Sequence, residues 1–265
     1  MTSTRGSEPG QAGATPKGRR ARGLTDRALK TIGLVLLLAS MVGSGVFQRD
    51  LPPDLADADM ARLTAVILLE VVSWAAIPIY AWLLCSGLAH TRSAGRYAAR
   101  LAVLAVVSEA PYDLATSGQL WDMSSQNPVF ALLVSLAVLA LGRDVKGPQA
   151  ASRGSRAALW GALLIGGALW LLLFNVGLRL GIMPTGVVIL AFALVFQFLW
   201  ARPNTMMFAG TAVGVLGGIF PAFGLVFLHF RNDRAGMRHK STRLVFYALY
   251  PLCLLAAGLY RTLAP

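Results

Sequence analysis

Apolar residues run in long unalternating blocks at roughly 29–47, 62–88, 98–115, 128–142, 157–182, 184–201, 204–230 and 244–261. Most of these blocks are long enough to cross ~30 Å of hydrocarbon as helix, and none shows the period of two that a membrane β-barrel needs. Polar or Pro-rich breaks separate them: Asp50-Leu51-Pro52-Pro53-Asp54, His90-Thr91-Arg92, Asp122, and the stretch from Arg143 to Arg156. The pattern predicts an all-α, polytopic transmembrane helical bundle with some short or kinked helices and no internal repeat.

Composition agrees. Of 265 residues, 56% are hydrophobic and 14% charged, with mean hydropathy +0.61, too little polar surface for a soluble fold of this length. The formal charge of +12 sits in short segments between apolar runs, a distribution that speaks for membrane topology and against nucleic-acid binding. Cys85 and Cys253 both fall inside apolar blocks, where a thiol behaves as a small hydrophobe. Residues 1–27, rich in Gly, Ser, Thr, Pro and Arg and holding Gly18-Arg19-Arg20-Ala21-Arg22, read as a disordered basic cytosolic arm. A cleaved signal peptide is the rival reading, but the block from Leu29 to Phe47 is longer than a typical signal core and lacks a small-x-small cleavage site.

Charge then sets the number of crossings. With the arm in the cytosol, Asp50, Asp54, Asp57 and Asp59 fall outside, Arg92, Arg96 and Arg100 inside, Asp122 outside, and Arg143, Lys146, Arg153, Arg156 and Arg202 inside. A single helix over 204–230 would put the densest basic loop, Arg231, Arg234, Arg238, Lys240 and Arg243, on the wrong side. A break near Gly217-Gly218 and Pro221 returns it to the cytosol. The expected count is therefore about nine membrane helices, within a range of about 8–10.

Ionisable groups inside hydrocarbon cost at least ~2.5 kcal/mol and so face a bundle interior, a partner or a wet cavity. Glu109 and Asp113, at i and i+4, share one face of the third predicted helix, with Pro111 between them. They are candidates for an acid/base pair or a polar substrate anchor, against a reading in which each is hydrogen-bonded structurally. Glu70, with only Ser73 as polar company, reads as a partnered structural acid. His90 and the cations Arg92, Arg96 and Arg100 form a cluster able to grip phosphates, although positive-inside topology alone also explains the arginines. Gln126-Asn127-Pro128 opens a helix with Asn127 at the N-cap and Pro128 at the first turn. Asn175 and Gln197 are expected to make interhelical hydrogen bonds, and the six tryptophans to serve interfacial belts and packing. The chain has no phosphate-binding Gly loop, no H-E-x-x-H, no paired CxxC and no nucleotide-binding domain, so no metal is expected and an ATP-driven transporter by itself is excluded.

The order of motifs resembles the TraX family of multi-pass membrane proteins. The residues that carry the resemblance are Ala28-Leu29-Lys30-Thr31-Ile32, Pro78-Ile79-Tyr80-Ala81-Trp82-Leu83-Leu84 and Gly87-Leu88-Ala89-His90-Thr91-Arg92. After Tyr97 come Ser108-Glu109-Ala110-Pro111-Tyr112-Asp113-Leu114, Gln126-Asn127-Pro128-Val129-Phe130 and Phe246-Tyr247-Ala248-Leu249-Tyr250-Pro251. The resemblance implies a transmembrane domain over 28–263 in the cytoplasmic membrane, N-terminus in the cytosol, and an acyltransferase that uses acetyl-CoA as donor and acetylates a protein or envelope acceptor. It implies catalytic roles for Glu109, His90 and Asp113, and donor or substrate binding by Arg92, Arg96, Arg100, Gln126, Asn127 and Tyr112. Where the family carries Asp-His in the first helix, this chain has Ser40-Met41; Ser86 and Cys253 stand where it carries a Glu and a late His.

Three functions follow as expectations: the acyltransferase; a catalytically silent scaffold or assembly component, which accommodates the absent Asp-His; and, more remotely, a small-solute transporter relaying protons through Glu70 and Glu109. His90 and Gln126 fall at opposite membrane faces, so the whole set cannot surround one reacting centre without re-entrant geometry.

Overall fold

The structure, a computed structural model, describes residues 23–43, 59–144, 153–179, 183–232 and 240–263. Among them are ten helices: α1 Asp26–Val42, α2 Met60–Ser73, α3 Ala76–His90, α4 Ala94–Thr116, α5 Pro128–Asp144, α6 Arg153–Leu173, α7 Thr185–Phe198, α8 Pro203–Leu216, α9 Phe220–His229 and α10 Lys240–Leu263. A two-residue antiparallel pair, β1 Leu178–Arg179 and β2 Met183–Pro184, joins α6 to α7. Asp50, Asp54, Asp57, Lys146, Arg234 and Arg238 lie outside the described residues, as does most of the basic arm.

Among the described residues, three helical stretches are long and apolar enough to cross a membrane: Met60–His90 with 31 residues, Gly154–Leu173 with 20 and Val245–Leu263 with 19. The first joins α2 to α3 through Trp74 and Ala75, where the sequence predicts one continuous helix. Pro78 has no N–H to give the Trp74 carbonyl, which instead accepts from Ile77 N at 3.1 Å, so the helix tightens and bends there. In α4, by contrast, Pro111 is carried inside a helix of 23 residues.

Chain direction alternates between two ends of the bundle. Leu24 N donates to Phe230 O at 2.8 Å and Asn232 N to Leu24 O at 2.9 Å, so the start of α1 and the loop after α9 share one end. This is the arrangement that the loop charges require, and it depends on the break between α8 and α9. There Gly218 (φ +105) and Ile219 (φ +68) take left-handed conformations and the chain reverses. Residues 23–25, assigned by composition to a disordered arm, are thus hydrogen-bonded to the bundle, and Thr25 caps α1 through its side chain at 3.2 Å from Ala28 N.

At the core, α3 packs against α1, α5, α7 and α9, and α7 against α5 and α8. Phe192, Phe196, Ile79, Leu136 and Leu139 are fully buried there. Arg143, at the end of α5, ties this core at the His90 end by donating to Leu88 O and Gln197 Oε1, both at 3.1 Å. Gln197 therefore makes the interhelical bond expected of it. Asn175 does not lie within a span: it follows α6 in a left-handed turn (φ 48), its carbonyl accepting from Gln126 N at 3.3 Å. α10 lies along α4 by one narrow face, where a Cβ on Gly258 would come 2.8 Å from Leu114 Cγ.

Candidate functional site

Glu109 stands two-thirds of the way along α4, on the border between its buried face (Leu101, Ala105, Ser108, Tyr112) and its exposed face (Val103, Val106, Val107, Ala110). Its carboxylate accepts from the backbone N–H of Asn127 at 3.2 Å. Asn127 is fully buried and caps α5 as the sequence predicts, its Oδ1 accepting from Val129 N at 3.0 Å. The same oxygen accepts from Tyr250 Oη of α10 at 2.9 Å. Three helices thus meet on one residue: α4 through Glu109 at the backbone N–H of Asn127, α5 through Asn127 itself, and α10 through Tyr250 at its side-chain amide. The other end of that amide, Asn127 Nδ2, is buried with no hydrogen-bond partner.

Asp113, one turn further on, turns to the connection between α4 and α5. Its Oδ2 accepts from Asp122 N at 3.0 Å, while Oδ1 is buried without a partner. Tyr112 Oη lies 3.2 Å from Ser125 Oγ, which donates to Leu178 O at 3.1 Å. Gln126 engages through its backbone, its carbonyl accepting from Gly177 N at 2.6 Å. Outside the helices, the Asp122 carboxyl is held below the usual carboxylate range by the N–H and hydroxyl of Ser124, at 2.9 and 2.8 Å.

The resemblance joins His90 to these residues in one catalytic set, while loop charge puts it at the face opposite Gln126; the structure likewise sets it apart. His90 closes α3 with Nδ1 at 2.8 Å from Ser86 O, and is exposed. Glu109 lies fifteen residues beyond the first residue of α4, about 22 Å of helix away from the His90 end. Arg92, Arg96 and Arg100 are exposed beside His90. His90 and the arginines therefore form one cluster, and Glu109, Asn127 and Tyr250 another.

The Ser40 position is closed. Ser40 Oγ donates to Glu70 Oε2, and Trp74 Nε1 to Glu70 Oε1 at 3.1 Å, with all three residues buried. Glu70 is the partnered structural acid that its surroundings predict, and its nearest polar partners come from α1 and from the bend at Trp74. No group of His, Cys, Asp and Glu able to hold a metal occurs among the described residues.

The comparisons with known proteins bear on this geometry. A family model described as TraX protein matches residues 26–261. The chain belongs to the TraX family. No curated protein and no solved structure matches it. Within this TraX member the matched region takes in both polar clusters and the Ser40–Glu70 pair. Tyr250 belongs to the Tyr-Pro motif that carries the resemblance, yet its part in the site was not legible: a Tyr inside an apolar block reads as packing until the partner helix is known. Ser125, being small and only weakly polar, gave no signal either.

Proposed function

We propose that this TraX protein is an integral-membrane acyltransferase that passes acetyl from acetyl-CoA to an amine or hydroxyl on a protein or envelope acceptor. The observation that carries the reading is the buried, unpartnered Asn127 Nδ2 beside the Glu109 carboxylate, at a junction of three helices. A buried amide donor with nothing to bind costs ~1–3 kcal/mol, a cost that a ligand carbonyl would relieve.

The same feature is the test of fit for the donor, a thioester, whose carbonyl needs such a hydrogen bond and whose phosphates need exposed cations. In this mechanism Glu109 takes the proton of the attacking amine or hydroxyl. Asn127 Nδ2 donates to the charge that develops on the carbonyl oxygen, and Glu109 then returns its proton to the departing sulfur. Tyr250 and the α5 N-terminus hold the amide so that Nδ2 stays turned from its own helix. Asp113 positions the α4–α5 connection. His90 binds rather than reacts: with Arg92, Arg96 and Arg100 it would hold the donor's phosphates at the opposite end of the bundle.

In this reading nine spans cross the cytoplasmic membrane, α2 and α3 counting as one, with the N-terminus and the basic loops in the cytosol. The short α8 and α9 are held against their neighbours. A second reading, a catalytically silent scaffold, is favoured by the closed Ser40–Glu70–Trp74 cluster in the place of the family's Asp-His.

Purified protein in lipid nanodiscs, given labelled acetyl-CoA and extracted envelope components, is expected to transfer label, and Glu109→Gln to reduce transfer by about 10²-fold or more. Transfer equal in wild type and Glu109→Gln, or none in wild type together with no binding of acetyl-CoA, sinks the acyltransferase and leaves the scaffold.

A further inference from the structure

At the His90 end, three planar groups from different elements lie in a stack. Trp82 of α3 is buried and lies parallel to Trp200, with ring centroids 4.5 Å apart and planes 9° off. The guanidinium of Arg231, also buried, lies 4.0 Å over the Trp82 ring. Trp200 belongs to the turn between α7 and α8 and is 41% exposed, so the stack begins inside the bundle and ends at an open ring. Phe196 meets the Trp82 edge at 5.7 Å and 80°, which fixes the ring from the side. Arg202, two residues beyond Trp200, is exposed.

An indole whose only task is to sit at a membrane interface needs no ordered neighbour on its face. Here a buried indole, itself covered on its ring by a buried cation, holds Trp200 flat, which lowers the entropy cost of adding one more planar layer. The ligand that matches an open indole face beside an arginine is a flat heteroaromatic base carrying phosphate. The stack lies at the same end as Arg92, Arg96 and Arg100, because Arg143 ties the end of α7, just before Trp200, to Leu88 near the end of α3.

We infer that the open face of Trp200 is the stacking platform for the adenine ring of the acyl donor, with Arg202 beside its phosphates. The inference rests on the proposed acyl transfer and adds a subsite to it, at the end of the bundle remote from Glu109.

The test is calorimetric titration of the full chain in nanodiscs with coenzyme A, ADP and pantetheine, the last lacking the adenine and nucleotide phosphates. Trp200→Ala is expected to weaken coenzyme A and ADP by about tenfold or more, the size of a lost base–aromatic stack. Pantetheine should be unaffected, Trp200→Tyr should keep most of the affinity, and Arg202→Ala should weaken the two nucleotides alone. If Trp200→Ala does not fold, Trp200→Tyr and Arg202→Ala carry the comparison. Coenzyme A binding unchanged by Trp200→Ala, or weakened no more than pantetheine, overturns the platform while leaving the acyltransferase standing. With an unfolded Trp200→Ala, unchanged nucleotide binding in Arg202→Ala overturns it equally. Wild type that binds neither coenzyme A nor ADP removes both.

Discussion

The backbone N–H of Asn127 donates to the Glu109 carboxylate at 3.2 Å, so that the acid of α4 closes the N-terminus of the helix that Asn127 itself caps. The cap, the acid and the Tyr250 hydroxyl are therefore one unit. Asn127→Ala should cost about 1 kcal/mol for the cap and about as much again for the Tyr250 bond. Tyr250→Phe loses the second and keeps the cap. In thermal melts the double variant should lie close to Asn127→Ala alone, since the two single losses share one oxygen. Additive losses would mean that Tyr250 and Asn127 act separately.

Ser40 and Glu70 give a contrasting case. Both are buried, and Ser40 with Trp74 supplies donors to the two carboxylate oxygens. Ser40→Ala takes one donor from a buried acid, a loss of about 1–3 kcal/mol, and should lower the melting temperature visibly. Acetyl transfer per folded molecule should not change, because the cluster holds α1 against α2 and is separate from the Glu109–Asn127–Tyr250 junction. A fall in turnover with unchanged stability would instead place Glu70 in the chemistry.

The fold was legible wherever physics acts locally. The break at Gly217–Ile219 followed from loop charge, the Asn127 cap from residue order, and the structural role of Glu70 from its apolar surroundings. What could not be read was which helices become neighbours. Tyr250 lies 123 residues from Asn127 and Arg143 lies 54 from Gln197; no period or propensity links such positions. The resemblance places His90 and Glu109 in one catalytic set, loop charge puts His90 and Gln126 at opposite faces, and most of α4 separates His90 from Glu109. The bend at Trp74 was missed for a local reason: Pro78 lies inside an apolar block whose length alone suited a single span.

Acid should act through Asp122 on the α4–α5 connection only below the ordinary carboxylate range. The Asp122 carboxyl is held below its usual range by Ser124, so its contribution to loop order is present above the ordinary Asp value of about 3.9 and is lost as pH falls through its lowered value. Trp121, which is 71% exposed on the same loop, reports on it. The part of its emission change that depends on Asp122 should appear only below about 4. In Asp122→Asn the change attributable to this group should disappear.

Two glycines separate close packing from open surface. A Cβ on Gly224 of α9 would clash with Ala75 O and come 2.5 Å from Pro78 Cγ, atoms of the bend and first turn of α3 that cannot give way without moving backbone. Gly161 of α6 has nothing within 4 Å. Gly224→Ala should therefore push α9 off α3 and destabilise by the ~1–3 kcal/mol of an overpacked core or more. Gly161→Ala should stabilise by up to about 1 kcal/mol through helix propensity alone. Thermal unfolding of the two variants in one detergent checks the pair. Because α9 also carries the chain to Arg231, Gly224→Ala should disturb the Trp82 stack as well, visible as a shift in tryptophan emission that Gly161→Ala does not produce.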